Sequence, residues 1–348
     1  MINKKILFFF GLLGWFTSPT VLADDHYEYF SGSIEHSGEI YASLVFTDTV
    51  VSGYLEIPNL FELPVWMAGT IIAGNIEISA EAGSMISFKG LYNGTTSLNG
   101  ELHHNRAVYS VQLSRESCKQ QQCMPFKVHK LDEVKLLGTG TDSPVAIFHA
   151  TLLEAASPDG DNLNKTIQNR FFKITDLLPA KAVLPAAGSD FFSRYIERNT
   201  QLNTAENYSK LNWEQNRKMY VIYNRNHKIS MAMHDYAYTG GEAGLKLTRF
   251  LVYDLINECE IRLNDLIPAD ALPELKRLIS QKLRQDLGLP DDEPLNNHGY
   301  YHRDIETIDN FYWIENGLVF HYNPYEIASD KGETEILISW KQLNKMLK

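Results

Sequence analysis

The strongest constraint on the fold is a series of short segments between residues 29 and 114 in which apolar and polar residues alternate. The series runs from YFSGSIE at 29–35 to AVYSVQLS at 107–114, and glycines fall between or within its eight members. A period of two is typical of strands with one buried face, and such short connections favour antiparallel neighbours. We therefore predict an antiparallel β meander, curled into a sandwich or a small barrel so that few edges stay exposed.

Four aromatic residues of this β-rich segment have two possible roles. They could line a ligand pocket at the mouth of a barrel, or they could fill the interior, as large aromatic side chains often do. Both alternatives stay open for Tyr54, Trp66, Tyr92 and Tyr109.

Beyond residue 145 the periodicity changes from one element to the next, which is typical of an α+β domain. Helical spacing is clearest over 273–287, with Pro273 in the first turn and Gly288 after the end. Asn-Gly at 316–317, between apolar strands, predicts a hairpin. We predict an α+β fold class: the antiparallel meander, then an α+β domain with a mixed or antiparallel sheet and a few helices.

Other elements of the second half follow from the same patterns. Helical spacing predicts a helix within 163–172 and another at about 190–203, the latter after the proline-containing LLPAKAVLPAAG. Hairpins are predicted to turn near 224–227 and near 256–257.

The strand alternation lapses between about residues 131 and 145, where glycines and a proline favour a loop. We place a domain junction in this stretch. The predicted organisation is a signal peptide at 1–23, a β-rich domain at 24–132 and an α+β domain at 133–348.

The first 23 residues have the order of a secretory signal peptide: Lys4 and Lys5, an apolar run over 6–16, then small residues up to Ala23. We expect cleavage after Ala23 and a periplasmic or secreted mature protein. Loss of the two lysines would change the formal net charge from −11 to about −13. No later stretch is apolar enough to span a membrane, so we expect no membrane span after signal removal.

The charge balance excludes one class of function. Asp and Glu number 43 against 32 Lys and Arg, and the basic residues form no run. Binding to a phosphate backbone requires clustered cations, so the protein is not expected to bind nucleic acid. An acidic surface would instead attract a basic partner.

The sequence contains three cysteines. In an oxidising compartment Cys118 and Cys123 are predicted to form a disulfide across a short loop. Cys259 has no evident partner and is interpreted as a small buried strand residue. A zinc site at the cysteine pair would need two more ligands, and the nearest downstream histidine is the isolated His129. No metal site is predicted.

Familiar catalytic motifs are missing: the sequence has no Gly-x-Ser-x-Gly elbow, no His-Glu-x-x-His, no phosphate-binding glycine loop and no dinucleotide fingerprint. We therefore assign no catalytic residue and no cofactor. The densest polar cluster, NNHGYYHRDIE, has two interpretations. It is a solvated loop, or its side chains meet in a metal or acid–base site formed by His298, His302, Asp304 and Glu306.

The stretch 311–338, FYWIENGLVFHYNPYEIASDKGETEILI, resembles the most characteristic segment of an extracytoplasmic domain of unknown function. That domain is found in lysozyme-sensing anti-sigma factors and beside some peptidoglycan deacetylase domains. Residues 323–328 reproduce the family's Asn-Pro-Tyr-Glu-Ile-Ala run without a gap. Upstream, YAYTGG at 236–241 and LTRFLVYDL at 247–255 follow in the family's order. The similarity spans about residues 145–345.

This resemblance implies an α+β domain and a role in the cell envelope, with the most family-like part at about 230–345. It also implies a protein or glycan partner of the envelope, such as a basic lysozyme or a peptidoglycan-related molecule. The chain departs from the family at two places, one of which is Ala328-Ser329-Asp330, where relatives often continue Ala-Pro-Tyr. Glu242 and Ala243 stand where relatives often carry Ala-His, so no role of that histidine can be transferred.

Two loops carry the candidate binding residues. We expect the loop after residue 236 and the loop after residue 322 to lie together and to present aromatic and acidic side chains to a partner. The same motifs also have a purely structural explanation, because Asn-Pro sets a turn and paired glycines supply positive φ. The candidate residues are Tyr236, Tyr238, Gly240, Gly241, Tyr322, Asn323, Pro324, Tyr325 and Glu326.

Together these patterns predict a non-catalytic binding protein of the cell envelope that recognises lysozyme or a peptidoglycan-related partner. The alternative is a cell-wall-acting hydrolase, or an accessory module of one, that uses His298, His302 and Asp304.

Overall fold

The computed structural model describes residues 25–80, 85–94, 96–118, 122–138, 143–199 and 211–347. The predicted signal peptide at 1–23 and the end of the helix predicted at 190–203 lie outside these residues. In the part of the chain that is described, no helix is both long enough and apolar enough to cross a membrane.

Eight antiparallel strands form an N-terminal barrel, which confirms the predicted meander. Strand β1 pairs with β2 along its whole length and also with β8, from Phe30 opposite Arg115 to Ile34 opposite Val111, so the last strand closes on the first. Inward-facing apolar side chains fill the barrel. The strands are β1 (His26–Ile34), β2 (Gly38–Thr47), β3 (Val50–Glu56), β4 (Val65–Ile72), β5 (Asn75–Ser79), β6 (Ile86–Tyr92), β7 (Ser97–His104) and β8 (Ala107–Arg115).

The four aromatic residues for which the sequence allows two roles lie on opposite faces of the barrel wall, two on each face. Tyr92 and Tyr109 pack with the barrel core, as an interior filled by side chains requires. Tyr54 and Trp66 do not, because their rings contact Tyr220 and His234 from the second half of the chain. The rings of Tyr54 and Trp66 therefore face strands β11 and β12.

The second half of the chain extends the sheet beyond the barrel. Strand β10 pairs antiparallel with β9 and parallel with β11, so the sheet is mixed, which is one of the two predicted alternatives. A parallel pair needs a crossover connection, and helices α1 (Asp161–Ile167) and α2 (Ala180–Asn199) lie in it, with a π-helical turn between them at Gln168–Phe172. The strands are β9 (Phe126–Leu136), β10 (Val145–Ala155), β11 (Trp213–Arg225), β12 (Lys228–Tyr238), β13 (Leu245–Asp254) and β14 (Cys259–Glu260).

Helix α2 begins about ten residues earlier than predicted and contains Pro185. The proline lacks the N–H that would bond the carbonyl four residues back, so it costs the helix one hydrogen bond. Burial of Val183 and Leu184 in the same segment offsets that loss. Tertiary packing therefore overrides a local signal that favours a later start.

A small antiparallel sheet ends the chain and confirms the predicted hairpin at Asn316-Gly317. The amphipathic helix α4 packs Leu275, Ile279 and Leu283 into the same core as this sheet. The elements are α3 (Leu263–Leu266), α4 (Leu272–Asp286), β15 (Phe311–Ile314), β16 (Gly317–Tyr322), β17 (Thr334–Ser339) and α5 (Trp340–Leu343).

Strands β11–β13 lie between two layers, with helix α2 on one face and the barrel and the small sheet on the other. Alternate side chains point to opposite faces of a strand. On β12, Asp235 faces α2, whereas His234 faces the barrel residue Tyr54. Ser230, on the His234 side, bonds to Trp313 of the small sheet. The fold is mostly β, and helices cover one face of its central sheet.

Cys118 and Cys123 form a disulfide, as predicted. The interpretation of Cys259 as a buried strand residue is wrong, because it lies exposed on the two-residue strand β14. This strand lies at the edge of the sheet, where the Cys259 side chain stays exposed. Strand β9 runs through residue 132 without a break, and the domain junction placed there stays a prediction.

Candidate functional site

The chain turns sharply after β16, at Asn323 and Pro324. The buried side chain of Asn323 accepts a hydrogen bond from the backbone N–H of Thr248 on β13, at 2.6 Å. The backbone N–H of Asn323 donates to the Glu326 carboxylate at 2.8 Å, and the Asn323 amide donates to the other carboxylate oxygen at 3.3 Å. The turn, called the Asn-Pro corner below and comprising residues 323–327, is thus fixed both to itself and to β13.

Tyr325 is the most unusual residue of the Asn-Pro corner. Its φ is 68° and 63% of its surface is exposed. A non-glycine residue in the left-handed region costs roughly 1–2 kcal/mol, and glycine would avoid that cost. A large exposed aromatic residue at this position is therefore a candidate contact residue, since strain of this kind occurs at binding sites. The same backbone conformation also occurs in turns such as those at His36 and Ala73.

A hollow of about 270 Å³ lies beside the Asn-Pro corner. Such a volume is below the roughly 300–1,000 Å³ of small-molecule pockets and suits a single side chain. The hydroxyl of Tyr322 donates to the Glu306 carbonyl at 2.7 Å and so joins the two walls. Burial, and then Glu326 and Glu306, raise the pKa of this tyrosine, which keeps it a donor. The lining residues are His302, Ile305, Glu306, Ile308, Tyr322, Glu326 and Ile327.

The rim of the hollow is acidic. Glu306 and Glu326 are exposed, and both line the hollow. Glu326 closes the Asn-Pro corner, while Glu306 forms an exposed ion pair with Lys276 of α4. Apolar walls under two carboxylates suit a side chain that has an aliphatic stem and a positive head.

The second predicted loop also contains glycines that its backbone requires. Gly240 and Gly241 have φ of 84° and 126°, and the Tyr238 hydroxyl donates to the Gly241 carbonyl at 3.1 Å. The ring of Tyr236, 37% exposed, covers Gly244 so closely that a Cβ there would lie 2.4 Å from it. This packing holds Tyr236 in one orientation.

Strand β13 carries both loops. Tyr236 lies opposite Lys246, whose ammonium is 3.2 Å from Glu333 in the segment after the Asn-Pro corner. Glu333 also accepts a hydrogen bond from the Thr248 hydroxyl at 3.1 Å. Tyr236, Lys246 and Thr248 project from the same face of the sheet. Lys246 and Thr248 of β13 therefore hold the segment after the Asn-Pro corner, next to the position that Tyr236 occupies on β12.

The candidate residues differ in what they can contact. Tyr322 and Asn323 are buried, at 1% and 5% exposure, so they support the surface from behind. Pro324 is half-buried, and Tyr325 and Glu326 are exposed. Sequence reasoning did not connect Ile305 and Ile308 with the Asn-Pro corner. The sequence feature that could have indicated these two residues is a pair of isoleucines three positions apart in an otherwise polar stretch.

The polar cluster after residue 297 is dispersed among separate contacts. The His298 imidazole lies 3.1 Å from Glu293, and Asp304 accepts a bond of 2.6 Å from the buried Arg284. Among the residues that the structure describes, no three or more His, Cys, Asp or Glu side chains are grouped so that they could hold a metal ion.

Comparison with protein families places the Asn-Pro corner and the hollow in one known domain. Residues 264–341 match the family described as "Protein of unknown function (DUF3298)". The chain contains a DUF3298 domain. This domain runs from α3 to the start of α5 and includes every residue that lines the hollow.

Solved structures of DUF3298 proteins resemble this chain. A family member from Bacteroides fragilis superposes with a TM-score of 0.59 at 21% identity, covering 66% of this chain and 96% of its own. One from Pseudomonas aeruginosa gives a TM-score of 0.46 at 18% identity, covering 64% and 95%. The first similarity shows a shared fold. No curated protein matches the chain. None of these comparisons links the DUF3298 domain to lysozyme-sensing anti-sigma factors or to deacetylase-associated proteins.

Proposed function

We propose that the protein is a non-catalytic binding protein of the cell envelope, periplasmic or secreted, that recognises a basic protein partner such as a lysozyme. The observation that carries the proposal is Tyr325, a strained and exposed aromatic residue beside an apolar hollow with an acidic rim. Exposed aromatic residues next to a pocket are typical centres of protein interfaces.

The hollow suits a lysine or arginine side chain of the partner. The aliphatic stem would lie against Ile305, Ile308 and Ile327, and the charged head would meet Glu306 and Glu326 at the rim. Tyr325 would add contact area outside the hollow at a small cost in conformational entropy, because a tyrosine has only two χ angles.

Charge favours the same class of partner at longer range. The chain carries a formal charge of −11, so a basic protein is attracted before contact. Such attraction is screened by salt, with a Debye length of about 8 Å at physiological ionic strength. The resemblance of residues 311–338 to the lysozyme-sensing family supports a lysozyme as the partner.

Calorimetric titration of the chain from residue 24 onward with a basic lysozyme tests the proposal. We expect binding that weakens as salt is raised from low to moderate concentration. Tyr325→Gly and Glu306→Gln should each weaken it roughly tenfold, as loss of a central interface residue does.

Matched controls exist on the barrel. His36→Gly changes another exposed residue with positive φ, 59°, and Glu77→Gln removes another exposed carboxylate that pairs with a lysine. Both should bind as the wild type does. Absence of heat at low ionic strength, or equal affinity for all four variants, would refute the proposal.

A cell-wall-acting hydrolase, or an accessory module of one, is the alternative. Its support is weaker, because His298 and Asp304 are engaged with Glu293 and Arg284, and His302 is the member of this trio that lines the hollow. Loss of a measured wall-hydrolase activity in His302→Ala would favour this alternative. Retention of the partner without turnover favours binding.

A further inference from the structure

A large cavity lies on the face of the central sheet opposite the Asn-Pro corner. It measures about 720 Å³ and separates α2 and the π-helical turn from strands β11–β13. Ala186 and Ala187 keep the facing surface of α2 small and leave room for it. We call it the arginine groove, lined by Phe171, Phe172, Lys173, Ile174, Ala186, Ala187, Asp190, Arg194, Arg217, Asp235, Leu247 and Arg249.

Two guanidinium groups in the arginine groove share one carboxylate. Arg217 Nε and Arg249 Nη2 lie 3.1 Å and 3.2 Å from the same oxygen of Asp235. The other oxygen of Asp235 accepts a bond of 2.9 Å from the Gln215 amide. Asp235 faces Arg217 across the β11–β12 ladder and Leu247 across the β12–β13 ladder. One negative charge therefore opposes two positive charges at the floor.

The side chains on the walls of the arginine groove do not neutralise this excess of positive charge. On α2, Arg194 pairs with Asp190 at 3.0 Å, so these two charges cancel, and Lys173 adds a further positive charge. Burial lowers the pKa of Arg249 although Asp235 opposes that shift, and the nearby charges of Arg217 and Arg170 lower it further. This excess of positive charge occurs in a chain whose formal charge is −11.

We propose that the arginine groove binds a small anionic molecule that carries a carboxylate or phosphate group on an apolar body. The planar fork of a guanidinium matches both kinds of oxyanion. Ile174 and Leu247, the latter 37% exposed, offer apolar area beside the charges. The volume lies in the range of about 300–1,000 Å³ that small-molecule sites occupy.

The arginine groove is a separate site from the Asn-Pro corner. Leu247 and Arg249 alternate along β13 with Thr248, whose side chain meets Glu333 on the opposite face. Binding at one site can therefore be lost while binding at the other remains, and the two proposals can fail independently.

Calorimetry on the chain from residue 24 onward tests the proposal with octanoate, octyl phosphate, inorganic phosphate and octylamine. Octanoate and octyl phosphate should bind at least tenfold more tightly than inorganic phosphate, and octylamine should not bind. A preference for octanoate assigns the ligand as a carboxylate, and a preference for octyl phosphate assigns it as a phosphate ester. Absence of binding by both anions, or octylamine binding as tightly, would overturn the proposal.

Variants locate the site. Arg249→Gln and Arg217→Gln should each weaken octanoate and octyl phosphate at least tenfold, and Arg194→Gln about threefold. Arg194 is half-exposed on a helix, so its variant folds even where a floor variant does not. The control is Arg277→Gln on α4, another half-exposed arginine paired along its helix. Tyr325→Gly should leave these affinities unchanged, and equal binding by Arg194→Gln and Arg277→Gln counts against the arginine groove.

Discussion

The guanidinium of Arg225 lies 2.8 Å from the carboxylate of Glu56, and this buried contact joins strand β11 to strand β3 of the barrel. The rings of Tyr41 and Tyr223 lie within 3.6 Å and 4.1 Å of the same guanidinium. Glu315, from the turn between β15 and β16, approaches it at 3.3 Å. The barrel, strand β11 and the small sheet therefore meet at the Arg225 guanidinium.

Glu56→Gln should destabilise the protein by about 3–5 kcal/mol, because it leaves the buried Arg225 without its closest anion. Burial raises the pKa of Glu56 although Arg225 opposes that shift, so the carboxylate depends on its partner. Urea unfolding followed by tryptophan fluorescence measures the loss. Glu101→Gln, exposed on the barrel, should change stability by less than about 0.5 kcal/mol. A loss below about 1 kcal/mol in Glu56→Gln would show that the contact contributes little.

Asn323→Ala should cost about 1–3 kcal/mol, since it leaves the N–H of the buried Thr248 without its acceptor. Hydrogen exchange should accelerate at Thr248 more than along the rest of β13. Asn297→Ala, which removes an exposed amide that bonds Glu293, is the matched control and should leave both measurements unchanged. Unchanged exchange at Thr248 in Asn323→Ala would mean that the Asn-Pro corner is held by other contacts.

Tyr325→Gly should keep or slightly raise the free energy of unfolding. Glycine relieves a left-handed conformation that costs roughly 1–2 kcal/mol, against the greater entropy that glycine gives the unfolded chain. His36→Gly, at a φ of 59° on the barrel, should behave alike. Clear destabilisation of Tyr325→Gly alone, by more than about 1 kcal/mol, would indicate that this tyrosine serves the fold instead of a partner.

The elements that the sequence predicts correctly are those that local periodicity and turn residues encode. The eight barrel strands, helix α4 and the Asn316-Gly317 hairpin follow from spacing and turn residues. The helix predicted from residue 190 begins at Ala180 instead, because a proline at 185 favours a later start in the sequence, whereas burial of its neighbours stabilises the earlier turns. The predicted burial of Cys259 is wrong because nothing in the local sequence shows that its strand is only two residues long.

The candidate sites depend on contacts between distant segments, which spacing does not encode. Asn-Pro predicts a turn at 323–324, but the acceptor role of Asn323 toward Thr248 joins residues 75 apart. The arginine groove assembles Arg217, Asp235 and Arg249 from three strands. In the sequence these three residues lie far apart, and no local pattern links them.

His234 should make stability fall as the solution is acidified from pH 7 to pH 5. Burial, followed by the charges of Lys246, His321 and Lys218, lowers its pKa to about 3. The imidazole lies 2.9 Å from the Tyr54 hydroxyl and beside the rings of Trp66 and Tyr220, so it stays neutral in the folded chain.

The direction of this pH effect follows from the protonation of His234 in the folded and in the unfolded chain. A histidine in the unfolded chain takes up its proton below about pH 6.5, while His234 in the folded chain does not, so protons favour unfolding. The loss by pH 5 should be on the order of 1–2 kcal/mol. Asp254, whose pKa is lowered to about 2, contributes only below this window. The difference between the urea midpoints at pH 7 and pH 5 should therefore be smaller in His234→Gln than in the wild type. In the control, His36→Gln, this difference should equal that of the wild type. Equal pH dependence in all three proteins would mean that the Tyr54–His234 contact admits a proton without unfolding.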